Sequence, residues 1–287
     1  PFRTALYGPD LVPIRDLYLH TSPEFDMKKL LVTGLPKIYQ ICHVWRNGEN
    51  TRLHSPEFTM IEWYRAQADY KAMMQDCVDL FRNCAEKLNI SSYRSGGKAC
   101  DPFGDWQRIS VAEAFRDYAG IDLLEFVDPS PSHCLGPSLS LKGEGLPGAP
   151  PSPSPFRERV GVRDFADKIQ SIGIRTAPDD RWDDLFFRVM AEKIEPFLGF
   201  ETPCILYDYP ASLAPLCIRA ADDRFSERFE LYICGIELAN AFSELTDAAE
   251  QRRRFRLKLR AADGRMNGAT YRDIAIAIYG AARIDTD

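Results

Sequence analysis

The feature that most constrains the fold is a pair of strand-like segments separated by a short polar segment. Residues 38–45 (IYQICHVW) and 58–64 (FTMIEWY) are rich in the β-branched and aromatic residues that favour strands. Residues 46–52 (RNGENTR) between them are polar, and their Gly and Asn residues tolerate the positive φ angles of tight turns. The pattern predicts a β-hairpin over residues 37–65.

The charged and aromatic residues of this hairpin suit a nucleotide. Arg46 begins the turn, Arg52 and His54 end it, and Phe58 starts the return strand. A fixed guanidinium can bind a phosphate group through two parallel hydrogen bonds, and an aromatic face can hold a base. An ordinary hairpin with a solvated charged turn has the same composition, so the residues alone leave both interpretations open.

The segment RNGENTRLHSPEFTMIE resembles motif 2 of the class II aminoacyl-tRNA synthetases in its lysine-specific form. The ending EWYR, residues 62–65, is most similar to the lysyl-tRNA-synthetase-like ligases that attach (R)-β-lysine to elongation factor P. The resemblance covers about residues 17–88 and 179–255. It implies an α+β fold, with an antiparallel sheet flanked by helices as the catalytic core. The chain contains no P-loop motif that would indicate a different nucleotide-binding fold.

The chain departs from the family pattern at three places. Motif 2 has Trp45 for the usual Phe, Gly48 where a Glu often stands and Ser55 for Asn, and Glu49 can replace the missing acid. The helix and strand of motif 1, which form the dimer interface in this family, are expected before Pro1. The Arg of motif 3 is expected after Asp287, and we expect weaker ATP binding in a chain that lacks it.

Three glutamates, Glu230, Glu237 and Glu244, recur every seven residues near the end of the chain. Their neighbours alternate as in a strand, a Gly turn and a second strand, which argues against a helix. Carboxylates this close repel each other unless cations share them, and two of them can hold Mg²⁺ together with substrate phosphates. A solvated acidic surface is the other interpretation of the spacing.

The resemblance assigns the roles. It implies Mg²⁺ at Glu230 and Glu237, and Arg46 as the catalytic group that bridges the substrate carboxylate and the α-phosphate. The residues that it places around ATP are Arg46, Asn47, Gly48, Arg52, His54, Ser55, Phe58, Glu237 and Leu238. The residues that it places around the amino acid are Ser22, Pro23, Glu24, Glu62, Tyr64 and Glu244.

The resemblance implies an ATP-dependent ligase with Mg²⁺ as its metal. The reaction is attack of an amino-acid carboxylate on the α-phosphorus of ATP, and the product is an aminoacyl adenylate. The amino acid is (R)-β-lysine or lysine, and the acceptor is a lysine side chain of elongation factor P, with tRNA less favoured. Two alternatives stay open: a fragment of a lysyl-tRNA synthetase, or a truncated remnant without activity. The family forms homodimers, but the motif 1 interface is missing from this chain.

The chain is predicted to consist of two parts of one catalytic core. Residues 1–128 form the first part, residues 163–287 the second, and the Pro/Gly/Ser-rich residues 129–162 a disordered insertion. Residues 17–20 predict a short strand, and Ser22 is the expected N-cap of a helix that has Pro23 at its first position. Residues 67–89 predict a helix whose core face includes Cys84 and Leu88.

The net charge and the cysteine pattern limit which partners, metals and compartments suit the chain. A formal net charge of −6 argues against a dominant nucleic-acid surface. The eight cysteines form no C-x-x-C pair and there are four histidines, so the pattern does not indicate a zinc site. Scattered thiols favour a reducing cytoplasm. No apolar run approaches the roughly 18 residues of a membrane span, so no membrane association is predicted.

Overall fold

The computed structural model describes residues 1–127 and 155–263 of the chain. The chain divides into two compact units, Pro1–Ala68 and Asp69–Asp287. Both helices and strands occur in each unit, as predicted for an α+β protein. The predicted boundaries at residues 128 and 163 stay a prediction. Residues 129–154 of the predicted insertion over residues 129–162 lie outside the described residues.

The first unit contains the predicted hairpin. Its antiparallel strands pair without a register shift from Lys37 opposite Arg65 to Trp45 opposite Glu57, which confirms the hairpin over residues 37–65. A second hairpin precedes it, and its second strand ends at Tyr18, earlier than the predicted strand at residues 17–20. The elements are β1 (Arg3–Tyr7), β2 (Pro13–Tyr18), α1 (Glu24–Val32), β3 (Lys37–Trp45) and β4 (Glu57–Arg65).

The second unit combines a sheet with amphipathic helices. The helices α3 and α5 continue beyond the α-helical residues as π-helical turns, at Phe115–Ala119 and Met190–Ile194. The elements are α2 (Tyr70–Lys87), β5 (Tyr93–Ser95), β6 (Lys98–Cys100), β7 (Gln107–Ser110), α3 (Val111–Ala114), α4 (Pro155–Ser171), α5 (Trp182–Val189), β8 (Cys204–Pro210), β9 (Phe225–Ile233), β10 (Ile236–Phe242) and α6 (Ala248–Asp263).

The main sheet of the second unit has the strand order β10-β9-β8-β7. The pairs β10–β9 and β9–β8 are antiparallel, whereas β7 and β8 are parallel. The predicted antiparallel sheet is therefore wrong for the β7–β8 pair. The reason is the connection: parallel neighbours need a long crossover, and helices α3, α4 and α5 lie in the chain between these strands.

The start of α1 differs from the prediction. The N-cap residue is Pro23, with φ −80° and ψ 1°, and it makes no side-chain cap. Ser22 still serves the helix, because its hydroxyl accepts a hydrogen bond from the Glu24 N–H at 3.0 Å. Helix α4 also differs, because it begins at Pro155 and so includes residues 155–162 of the predicted disordered segment.

Helix α2 begins at Tyr70, three residues inside the predicted start at residue 67, and Asp69 caps it by accepting from the Ala72 N–H at 2.9 Å. The predicted core residues of its first half are buried, namely Tyr70, Met73, Met74 and Cys77. Cys84 and Leu88 are exposed, so their assignment to the core is wrong. In the last turns Ala85 is buried instead, so the buried stripe continues from Val78 and not from Cys77.

The core of the second unit lies between its helices and the sheet. Phe115 and Phe186 stack with ring centroids 5.0 Å apart, and Phe186 also stacks on Trp182. Phe165 of α4 joins this aromatic group against Phe126. Within the described residues no helix combines the length and apolar character that crossing a membrane requires.

Two adjacent phenylalanines test where this core lies. Phe186 is fully buried, whereas Phe187 is 50% exposed. We expect Phe186→Ala to lower the free energy of unfolding by about 3–5 kcal/mol, because it removes a buried ring and leaves a cavity. Phe187→Ala removes the same atoms from the surface and is expected to cost less than about 1 kcal/mol. Urea unfolding of both variants measures this, and equal losses would contradict the assignment.

A second test concerns Glu250 on α6. The Arg253 guanidinium and Arg254 donate hydrogen bonds to it and lower its pKa to about 2, against a smaller opposing effect of burial. A carboxyl with a lowered pKa stabilises the fold above its unfolded pKa of about 4.3, and this contribution is lost as the pH falls through the folded value. We expect Glu250→Gln to cost about 1–2 kcal/mol at pH 7 and progressively less below about pH 4.5. The exposed Glu125 provides the control, since Glu125→Gln should change stability little at either pH.

Candidate active site

The hairpin of the first unit fixes Arg46 at the point where β3 ends. The Arg46 N–H donates to the Pro56 carbonyl at 2.8 Å, which closes the loop between β3 and β4. The Arg46 side chain donates from Nε to the Thr21 carbonyl at 3.1 Å, and its guanidinium lies 5.4 Å from the centroid of the Phe58 ring. Two of the predicted nucleotide-binding residues are therefore in contact. Because a guanidinium has five N–H donors, the bond to Thr21 leaves others for a phosphate.

The remaining predicted nucleotide-binding residues of this unit lie on the loop. Gly48 has φ +92°, a conformation that favours glycine, which explains the residue at that position. His54 is oriented by Thr51, whose hydroxyl is 2.9 Å from the His54 Nδ1 atom. The members of the loop set, Asn47, Gly48, Arg52, His54 and Ser55, are all exposed.

Ser22, Glu62 and Tyr64 of the predicted substrate set come together in the first unit. The Ser22 hydroxyl donates to Glu62 Oε1 at 2.5 Å, and the Tyr64 hydroxyl donates to Glu62 Oε2 at 2.7 Å. Each oxygen of this carboxylate thus has one hydroxyl donor, which fixes its orientation. Glu24 is close in sequence, and its carboxylate forms an ion pair with the Lys28 ammonium at 2.6 Å. Pro23 between them is buried.

In the second unit the predicted metal ligand Glu230 is buried in a network of donors. Tyr209 and Tyr232 donate to Oε2 at 2.5 and 2.7 Å, while Arg228 and Asn240 donate to Oε1 at 2.6 and 3.3 Å. A carboxylate has about four lone-pair positions, so these bonds use them all. Burial of the charge is stabilised by the Arg228 ion pair and by the hydrogen bonds.

A bulge in β10 brings Asn240 to the face of the sheet that carries Glu230 and Glu237. Glu237 lies opposite Tyr232 and Asn240 lies opposite Glu230, with the register shifted at Leu238. Without the extra residue these two side chains, three positions apart, would point to opposite faces. The bulge also leaves Leu238 48% exposed beside Glu237.

The acids of this face affect one another. Burial and the charge of Glu230, with a further contribution from Glu195, raise the pKa of Glu237 to about 7. Burial and Glu230 likewise raise the pKa of Glu195. Glu237 is nevertheless open to solvent, so crowding by protein atoms reduces its hydration without covering it. Burial, followed by the charge of Glu230, also raises the pKa of Tyr209 and of Tyr232, so both phenols stay protonated as donors.

Glu237 has the chemistry that a divalent cation needs. Its accessible carboxylate stands beside a buried negative charge, and a cation there would offset the repulsion between the acids. Glu230 contributes its charge, and a direct bond to a metal needs one of its four hydrogen bonds to open. Among the described residues no group of three or more His, Cys, Asp or Glu side chains has the arrangement of a metal site. The assignment of Mg²⁺ to Glu230 and Glu237 stays a prediction.

Glu244, the last of the predicted substrate residues, follows β10 in the second unit. It forms an antiparallel bridge with Cys217 and is partly buried. The preceding Ser243 is buried and accepts a hydrogen bond from the Tyr70 N–H at 2.8 Å. Glu244 is therefore held by its own bridge and by the buried residue that precedes it.

The hydrogen-bond donors to Glu230 are not among the residues predicted from the sequence. Arg228, Glu230 and Tyr232 alternate on β9, and this period of two places them on one face. That signal was available and identifies two of the four donors. Tyr209 and Asn240 reach the same carboxylate only through strand pairing and the two bulges, at Asp208 and Leu238, which the pattern does not reveal. Glu195 was also missed, because it comes from the end of a helix distant in sequence.

The sequence of this chain is similar to those of known proteins. The profile of the class II tRNA synthetases (D, K and N) matches residues 5–273. The chain belongs to this family. The elongation factor P–(R)-β-lysine ligases of Edwardsiella ictaluri (strain 93-146) and Erwinia tasmaniensis are each 35% identical to it over 256 residues. That of Salmonella arizonae is 34% identical over the same length.

These matches cover 89% of this chain and 64% of each relative. The chain therefore spans a little under two thirds of the length of the curated relatives that it matches. The class II resemblance is confirmed as a family membership, and so is the α+β class.

The Glu230 network predicts unequal effects for two arginines. Arg228→Met leaves a buried carboxylate without its cation, and we expect it to lower the free energy of unfolding by about 2–4 kcal/mol. Arg224→Met removes an equivalent ion pair with Asp222, which is more exposed, and is expected to cost less than about 1 kcal/mol. Urea unfolding at pH 7 compares the two. An Arg228 variant as stable as the Arg224 variant would show that the ion pair does not stabilise the buried carboxylate.

Proposed function

We propose that this chain activates (R)-β-lysine or lysine with ATP and transfers it to a lysine side chain of elongation factor P. The observation that carries the proposal is the similarity, over 89% of the chain, to relatives named elongation factor P–(R)-β-lysine ligases. The geometry supports it, because Arg46 and Phe58 are in contact and Ser22 and Tyr64 both bind Glu62. These relatives favour a protein acceptor over the alternative of a lysyl-tRNA synthetase.

The first step forms a bond between the amino-acid carboxylate and the α-phosphorus of ATP, and pyrophosphate leaves. A carboxylate is already ionised at pH 7, so the step needs no general base, and catalysis consists of positioning and charge neutralisation. In this proposal Arg46 binds both the carboxylate and the α-phosphate. In the second step the acceptor amine attacks the adenylate carbonyl, an amide forms, AMP leaves and the amine loses a proton.

The other assignments follow the same proposal. Arg52 and His54 bind the outer phosphates, Asn47, Gly48 and Ser55 complete the loop around them, and Phe58 stacks on the adenine. Leu238 lies beside the nucleotide. Mg²⁺, held by Glu237 with the charge of Glu230, would neutralise the pyrophosphate as it leaves.

The amino-acid substrate carries two ammonium groups, and each is proposed to bind a carboxylate of the protein. Glu24, positioned by Ser22 and Pro23, binds the amino group nearer the carboxylate. The side-chain ammonium is assigned by the family resemblance, to Glu62 and Tyr64 in the first unit and to Glu244 in the second. The β8–β9–β10 part of the sheet, with helices packed on it, is the proposed catalytic sheet of the second unit. Formation of a homodimer and a cytoplasmic location belong to the same proposal, and the free thiols of Cys77, Cys100 and Cys204 suit a reducing compartment.

The test is amino-acid-dependent exchange of pyrophosphate into ATP, followed by transfer of labelled β-lysine to elongation factor P. We expect Arg46→Ala to reduce exchange by about 10²–10³-fold, because it removes a donor to the charge that develops at the α-phosphate. Arg46→Lys should recover little, since an ammonium cannot form two parallel hydrogen bonds.

The control is Arg94→Ala, which removes an exposed arginine of β5 and should leave exchange unchanged. Exchange that is equal in the Arg46 and Arg94 variants would contradict the role of Arg46. Absence of any β-lysine- or lysine-dependent exchange in the unaltered chain, at protein concentrations that detect slow turnover, would contradict the proposed function itself.

A further inference from the structure

A cation of this chain already occupies one carboxylate of the proposed substrate set. The Lys28 ammonium lies 2.6 Å from Glu24 Oε1, and both side chains are only 25% exposed. This pair has a close counterpart on the same helix, in which Lys29 contacts Asp26 at 2.8 Å with side chains that are 67% and 85% exposed. The two neighbouring lysines therefore differ in the environment of their ammonium groups, and Lys28 is the more enclosed.

Glu24 is fixed beside the other polar groups of the first unit. Its N–H donates to the Ser22 hydroxyl at 3.0 Å, and the same hydroxyl donates to Glu62 Oε1 at 2.5 Å. One oxygen atom thus connects the start of α1 to the Glu62 carboxylate. This connection keeps the backbone of Glu24 near the Glu62 carboxylate, to which Tyr64 also donates.

We propose that the Lys28 ammonium is an internal competitor at Glu24, which an ammonium group of the amino-acid substrate must displace. The inference rests on the proposed function, because it takes the role of Glu24 from it. Two ammonium groups on one carboxylate repel each other, so the substrate binds with its own ion pair and at the expense of the existing one. A ligand without an amino group next to the carboxylate end has nothing to exchange for Lys28. Lys28 thus sets how much that second amino group contributes to the affinity of the ligand.

A pair at positions i and i+4 also stabilises a helix slightly. That role alone predicts a slightly weaker helix when Lys28 is replaced and no selective change in ligand binding. The competitor role predicts a selective gain in affinity. The two interpretations therefore differ in a measurement of binding.

The experiment is isothermal titration calorimetry with the chain and with Lys28→Met, using lysine, (R)-β-lysine and 6-aminohexanoate as ligands. 6-Aminohexanoate keeps the carboxylate and the terminal ammonium of lysine but lacks the other amino group. We expect Lys28→Met to bind lysine and β-lysine about two- to fivefold more tightly, as loss of one partly exposed competing ion pair implies. Its affinity for 6-aminohexanoate should stay within error of the unaltered chain.

Lys29→Met is the matched control, because it removes the same charge one residue away and should change no affinity. Lys28→Arg keeps a cation at Glu24 and should bind as the unaltered chain does, and Lys28→Gln replaces the Met variant if that one does not fold. Unchanged or weaker lysine binding by the folded neutral variant overturns the inference. An equal gain for 6-aminohexanoate also overturns it, since it would indicate a general effect of charge. If the unaltered chain binds neither lysine nor β-lysine, with or without ATP, the proposed function fails as well.

Discussion

The second unit depends on the burial of one negative charge. Glu230 sits in the middle of β9, where its neighbours on the sheet are Leu206 of β8 and Asn240 of β10. A carboxylate is tolerated at such a position only when hydrogen bonds and an opposite charge replace the water that it has lost. Meeting that requirement takes donors from three strands, so the charge links β8, β9 and β10 more specifically than apolar packing would.

The two bulges of this sheet follow from the same requirement. Asp208 on β8 has φ +57° and Leu238 on β10 interrupts the ladder, and each shift lets a polar side chain reach the face that carries Glu230. A regular ladder would place Asn240 and Glu237 on opposite faces. The irregular pairing is therefore the means by which Asn240 reaches Glu230. The second carboxylate, Glu237, lies opposite Tyr232 on the same face and remains accessible to solvent.

The elements that the sequence reveals are those whose signal is local. The β-branched and aromatic residues of 38–45 and 58–64, with a Gly-containing turn between them, predict the β3–β4 hairpin with its boundaries. The Gly235 turn likewise predicts that Glu230 and Glu237 lie on two paired strands, and both are confirmed. The parallel β7–β8 pair, the donors Tyr209 and Asn240, and the exposure of Cys84 depend on partners distant in the chain. No periodicity within one segment contains that information.

The carboxylates of the two units have different hydrogen-bond and ion-pair partners. These partners affect which carboxylate a ligand can bind. Glu230 has four protein donors on its two oxygens, so a ligand gains little there without breaking bonds in a buried site. Glu24 has the Lys28 ammonium as its partner, in a pair that is partly open to water. Ion pairs of this kind contribute only about 0–1 kcal/mol, so exchange of one ammonium for another is nearly balanced in free energy. A near-balanced exchange lets modest additional contacts, such as the proposed contact of the substrate carboxylate with Arg46, decide whether the amino acid binds.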